Sequence, residues 1–216
     1  FDGLFAGMSE SNAVELLNQP SGELDNPGVK YIAATRLGAC TSQGSLEALI
    51  SASSGEREDI FDRITRRKAI EALGRRKNLS TLPVIQEALS SDDDPTVVNA
   101  VDALITIGLP LTAHIRTTLL NLLHHRSAAI QRVSIQCFCR LDVDDCAAQI
   151  SPFESHTDYL VSGAALAYSV RYTGSLERLD SLSARLSDNT VGIRRNQNQH
   201  RKAAPPKRAS VSRPSY

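Results

Sequence analysis

Five nine-residue segments recur along the chain: VKYIAATRL (29–37), TRRKAIEAL (65–73), TVVNAVDAL (96–104), IQRVSIQCF (130–138) and LVSGAALAY (160–168). Their starts lie 36, 31, 34 and 30 residues apart. The fifth position is always small: Ala33, Ala69, Ala100, Ser134, Ala164. The ninth is always large and apolar: Leu37, Leu73, Leu104, Phe138, Tyr168. Four residues are about one helical turn, so these positions define one buried stripe, and the small residue lets a neighbouring helix approach closely. A period of this length is the mark of stacked units, none of which can bury its own apolar surface alone.

Between these helices lie second segments of helical period: SLEALISA (45–52), TLPVIQEALS (81–90), IRTTLLNLL (115–123) and LERLDSLSARL (176–186). Pro83 suits a first helical turn, where its missing N–H is least costly. LDNPG (24–28) and DDDP (92–95) read as turns into the next helix. Gly38, Gly74 and Gly108 fall after repeat helices, where positive φ is often required. Aromatic residues are only 5% and Trp is absent, which favours closely packed helices over a strand-rich sandwich. The expected fold is all-α, an α-solenoid of about five helix pairs over residues 1–188. The alternative is an irregular helical bundle.

The net charge of zero conceals an asymmetry. Seven basic residues and no acid follow Asp188, which leaves 17 basic against 24 acidic residues in 1–188, a net of −7. An acidic body argues against a broad nucleic-acid surface and gives no reason to expect DNA as a partner. Residues 189–216 are rich in Arg, Ser, Gln and Pro without apolar periodicity, and are expected to be a disordered basic tail. The uncharged stretch 159–170 is too short for a membrane span. The four cysteines lack the spacing of a disulfide framework, which suits a reducing compartment. Cys137, Cys139, Cys146 and His156 do not form a zinc spacing, and no metal is expected. His124 and His125 end a helix beside Arg126, as the dipole favours. No phosphate loop, dinucleotide fingerprint, nucleophile elbow or HExxH is present. With no Met at Phe1, the sequence is expected to start inside a longer chain.

Positions three and seven of the repeat share a face away from the buried stripe. Position three reads Tyr31, Arg67, Val98, Arg132, Ser162; position seven reads Thr35, Glu71, Asp102, Gln136, Leu166. Stacking would turn these into two parallel ladders, suited to a groove for a molecule bearing both carboxylates and polar N–H groups. The competing reading is a solvated face with Arg67–Glu71 as a helix ion pair of about 0.3–0.5 kcal/mol. RRKAIEALGRRK (66–77) is the most basic stretch, with six cations in twelve positions. Arg67 belongs to the ladder; Arg66, Lys68, Arg75 and Arg76 are expected to be solvated or to face a partner.

The sequences ITRRKAIEALGRRKNLSTLPVIQEAL (64–89) and DDDPTVVNAVDALITIG (92–108) resemble the HEAT-like repeats of phycobilin lyases of the E/F clan, with closest similarity to the small Z-type phycoerythrin lyase subunit. The resemblance spans roughly residues 22 to 186; repeats four and five depart from it, and the basic tail is no part of it. It implies a linear tetrapyrrole bilin, phycoerythrobilin, as substrate rather than cofactor. It also implies a phycoerythrin subunit as acceptor, a Y-type lyase partner, and a cyanobacterial cytoplasm or plastid stroma. On that basis Arg67 and Arg132 would grip the propionates, Asp102 or Glu71 would pair with pyrrole nitrogens and supply a proton, and Tyr31 would stand at the groove edge. The alternative is a chaperone-like scaffold holding apo-phycobiliprotein or a partner lyase without catalysis of its own.

Overall fold

A computed structural model describes residues 7–108, 111–174, 180, 183 and 184. The segment expected as a helix at 176–186 lies mostly outside these residues, and the tail from 189 and the boundary at 188 lie wholly outside them. The repeat helices form where the periodicity places them: α2 (Val29–Leu37), α4 (Ile60–Arg76), α6 (Asp94–Ile107), α8 (Ala128–Arg140) and α10 (Tyr159–Thr173). Each packs on the next, α2 on α4, α4 on α6, α6 on α8, and α8 on α10. A second layer consists of α1 (Glu10–Asn18), α3 (Gln43–Ser53), α5 (Leu82–Ala88), α7 (Ala113–Leu122) and the short α9 (Ala147–Ile150) with a 3-10 turn over Ser151–Ser155. Every second-layer element packs against the repeat helix that follows it, and the described residues thus form five pairs. One apolar core runs from Ala13 in α1 to Tyr168 in α10.

Local chemistry sets the boundaries. Ser9, Ser42, Asp59, Asp93, Thr112 and Asp158 each cap a helix by accepting a backbone N–H,. Pro83 and Pro95 occupy first turns,. Gly108 ends α6 with φ 76°, as its place after the repeat suggests. The other two glycines behave differently. Gly38 is right-handed at φ −62°. Gly74 lies inside α4, which continues to Arg76 and ends on Lys77 at φ 51°. Gly74 is needed for another reason: a Cβ there would come within 2.8 Å of the Ala103 Cα and Cβ. The sequence places second segments at 45–52, 81–90, 115–123 and 176–186, whereas Glu10–Asn18 and 147–155 supply the partners of the first and fifth repeat helices. Both are short, and they pack against α2 and α10 respectively,.

The fifth repeat is corrected in register. On α4 and α6 the buried positions are one, two, five, six, eight and nine. On α10 that pattern fits VSGAALAYS (161–169), not LVSGAALAY: Val161, Ser162, Ala165, Leu166, Tyr168 and Ser169 are buried, while Ala164 is half-buried and Leu160 exposed. Three alanines at 164, 165 and 167 made both registers plausible by size alone. The observed one places Gly163 and Ala167, rather than Ser162 and Leu166, on the ladders.

Candidate functional site

The basic segment that begins at Arg66 is chiefly structural. Arg66 is only 1% exposed. It donates Nε to the Ser53 carbonyl (3.0 Å) and Nη1 to Ser91 Oγ (3.0 Å), and pairs with Glu56 (3.0 Å). It therefore ties the end of α3 to the turn before α6. Arg76 donates to Ser45 Oγ (2.7 Å) and the Ser42 carbonyl (3.0 Å), anchoring the start of α3. Arg66 is thus buried rather than solvated and Arg76 is half-buried, because α4 has neighbours on both sides. The repeat carried a hint, since position two is also Lys30, buried and donating to the Gln19 carbonyl at 2.7 Å.

Arg67 makes a two-pronged contact with Asp93, Nε to Oδ2 at 2.8 Å and Nη2 to Oδ1 at 2.6 Å. Asp93 is the N-cap of α6 and also accepts from Thr96. Burial by itself would raise the Asp93 carboxyl; the hydrogen bonds from Arg67 and Thr96 outweigh it and hold the group below its ordinary value,. The Arg67–Glu71 ion pair is not formed. Glu71 instead takes Lys68 (2.9 Å) and Arg75 (2.9 Å). The Lys68 ammonium lies 5.1 Å from the centroid of the Tyr31 ring, which is exposed,.

Further along the same face the ladder opens into a groove of about 650 Å³ between α6, α8 and α10. That volume falls within the roughly 300–1,000 Å³ usual for small-molecule sites. Asp102, Arg132, Gln136 and Arg140 make its polar side, and Gly163, Ala164 and Ala167 line it from α10. Asp102 also faces a second hollow of about 350 Å³ shared with Glu71, Arg75 and Asn99. The structure thus brings Asp102 together with Arg132 on one side and with Glu71 on the other. Tyr31 and Arg67 line neither hollow.

The electrostatics divide these residues further. Partial burial pushes the Asp102 carboxyl above its ordinary value; Arg132 opposes this and the Glu71 charge reinforces it. Asp102 is exposed as a residue, yet its carboxyl has no hydrogen bond or close ion pair among the described residues to offset its lost hydration. The Arg132 side chain likewise donates no hydrogen bond among the described residues, in contrast to Arg66, Arg67 and Arg76. Cys137 is packed behind this wall with its thiol pushed up to about 12 by burial, as fits a small core residue. Among the described residues no cluster of three His, Cys, Asp or Glu is placed to hold a metal. No described helix is long and apolar enough to cross a membrane.

A stack of helix pairs whose ladder face carries a groove with charged residues on two helices and apolar ones on the third defines the chain as a helical-repeat protein. Relatives narrow that class. The chain is 33% identical over 190 residues to the bilin biosynthesis protein PecE of Nostoc, a match covering 87% of this chain and 72% of PecE. It is 32% identical over 191 residues to the phycocyanin operon protein Y of Pseudanabaena tenuis, covering 88% of this chain and 45% of that protein. The chain belongs to the E/F-type phycobilin lyase family. It spans just under half the length of operon protein Y. The fold resembles the solved complex of CpcE and CpcF of phycocyanin lyase from Nostoc, with a TM-score of 0.63 at 20% identity over 79% of this chain and 67% of that one. An engineered protein gives a TM-score of 0.56 at 13% identity, covering 83% and 86%. No protein-family model matches the chain.

Proposed function

We propose that the chain is a phycobilin lyase or lyase subunit that holds a linear tetrapyrrole in the groove between α6, α8 and α10. One observation carries the reading: in a chain of this family, an uncommitted arginine and a carboxyl with a raised pKa face the same groove. A bilin offers propionates for a guanidinium and pyrrole N–H groups for a carboxylate. Arg132 grips a propionate. Asp102 pairs with the pyrrole nitrogens, and its raised pKa suits it to pass a proton to the pigment. A protonated pigment is the better electrophile for the thiolate of an acceptor cysteine. The new carbon–sulfur bond forms as that thiolate adds to a double bond of the bilin, and the proton ends on the pigment. The lyase otherwise orients the two reactants and suppresses misplaced addition.

Glu71 and Tyr31 extend the same face toward the N-terminal repeats, and Arg67 serves by fixing the start of α6, the helix that carries Asp102. Phycoerythrobilin, a phycoerythrin subunit as acceptor and a larger Y-type partner complete the proposal, as does a cyanobacterial cytoplasm or plastid stroma. Pairing is supported by the solved relative, a complex of two lyase chains. The test is an absorbance and fluorescence titration of the purified chain with phycoerythrobilin, alone and with a co-expressed partner. A red-shifted, sharpened band supports the pigment groove. No spectral change in either state, with apo-acceptor still bound and kept in solution, would replace the lyase by a chaperone-like scaffold.

A further inference from the structure

The groove is unequal along its width. Its α6 and α8 walls carry Asp102, Arg132, Gln136 and Arg140, whereas its α10 wall has no charged residue: Tyr159 and Leu160 stand at its first turn, and beyond them it narrows to Gly163, Ala164 and Ala167. The corrected register explains why. Positions three and seven of the repeat helix carry sizeable side chains on α4 (Arg67, Glu71), α6 (Val98, Asp102) and α8 (Arg132, Gln136), but are Gly163 and Ala167 on α10. These residues have little or no side chain where the stack would otherwise raise a ladder. Ala167 is exposed and Gly163 half-buried. Core packing therefore does not demand a small residue at 167. Glycine in a helix interior costs about 1 kcal/mol relative to alanine, and Gly163 sits mid-helix without positive φ. Exposed Tyr159 and Leu160 rim the same end, and Ile105 faces it from α6.

We infer that Gly163 and Ala167 are the size-determining positions of the groove: they admit the apolar end of the ligand while Arg132 and Asp102 hold its charged and N–H-bearing edge. This rests on the bilin reading above and goes further, because it fixes which way round the ligand lies. Its polar edge faces α6 and α8, and a terminal ring with apolar substituents slides over α10. The two small residues thereby select for the bulk of that ring.

The experiment is a phycoerythrobilin titration of the full chain, with its partner if binding requires one, comparing wild type with Ala167→Leu, Ala167→Ser and Gly163→Ala. Leucine is a good helix former and position 167 is exposed, so helical circular dichroism and melting temperature should be unchanged. Filling the groove should weaken binding by about tenfold or more, since a single methylene in a fitted pocket is worth roughly that. The residual complex should also show a shifted visible band, reporting a displaced chromophore. Ala167→Ser should behave as wild type, and Gly163→Ala should show a smaller loss in the same direction. If wild type binds and Ala167→Leu binds with equal affinity and spectrum, the inference fails while the lyase reading stands. If wild type binds no pigment with or without its partner, the lyase reading itself fails, and the assignment of ligand orientation with it.

Discussion

Among the residues, the two arginines of greatest interest divide by their partners. Arg67 is committed to Asp93 in a half-buried, two-pronged contact at the N-cap of α6. Arg67→Ala should cost about 2 kcal/mol, the scale of a lost charge-assisted hydrogen bond, read from urea unfolding. Because the folded Asp93 value is depressed, its stabilising contribution is complete above the unfolded value of about 3.9 and disappears as pH falls through the folded one,. An Asp93→Asn variant should therefore show a flatter loss of stability in acid. Asp102 has the opposite sign. Its raised folded value means that the charged form costs stability at neutral pH, a cost relieved as pH falls through that value,. Asp102→Asn should leave the melting temperature unchanged or raised while pigment transfer drops; a variant that melts earlier would contradict the assigned environment. Ser134 gives a third test. Its hydroxyl is fully buried without a hydrogen-bond partner among the described residues, at a repeat position held by alanine in α2, α4 and α6. Ser134→Ala should stabilise by about 1 kcal/mol in the same unfolding assay.

The helices reveal where close approach replaces side-chain volume. Gly74 admits the backbone of Ala103, so α4 and α6 meet more closely than any side chain would allow. Gly74→Ala should destabilise by about 1–3 kcal/mol through overpacking, despite alanine's better helix propensity. A variant as stable as wild type would show that the contact can relax. In the fifth pair, where the second-layer helix shrinks to Ala147–Ile150, a side chain takes over part of its work. Tyr168 is fully buried and donates to the Val143 carbonyl at 2.6 Å while accepting from the Cys146 N–H at 3.0 Å. Tyr168→Phe leaves both groups unsatisfied, and a loss of about 2 kcal/mol is expected, with the 143–146 amides exchanging faster.

For the whole molecule, the groove belongs to no single repeat. It needs Asp102 from α6, Arg132 from α8 and the small residues of α10, so the order of stacking is what assembles it. Arg132→Ala should weaken bilin binding without changing the unfolding midpoint, since this guanidinium hydrogen-bonds to no described residue. A fall in both would place Arg132 in the scaffold with Arg67. Rigidity comes from Arg66, whose buried contacts tie the second pair to the turn before α6, and from half-buried Arg76, which ties α4 to the start of α3 within that pair.

The sequence by itself determined the repeat, the all-α class and the five helices that stack, because a small residue and a large one a turn apart leave only one efficient way to bury that stripe. It also singled out Asp102 and Arg132 as ladder residues on one face. Only the tertiary structure decided that Arg67 turns to Asp93, that Arg66 is buried, and that α10 sits one residue out of the expected register. The reason is physical. Periodicity fixes which face of a helix is apolar, but a long charged side chain can reach several partners, and which one it meets depends on the neighbouring helices. On α10, three alanines carry too little volume to choose a register, and the choice falls to Tyr168, whose hydroxyl finds its two partners in one of them.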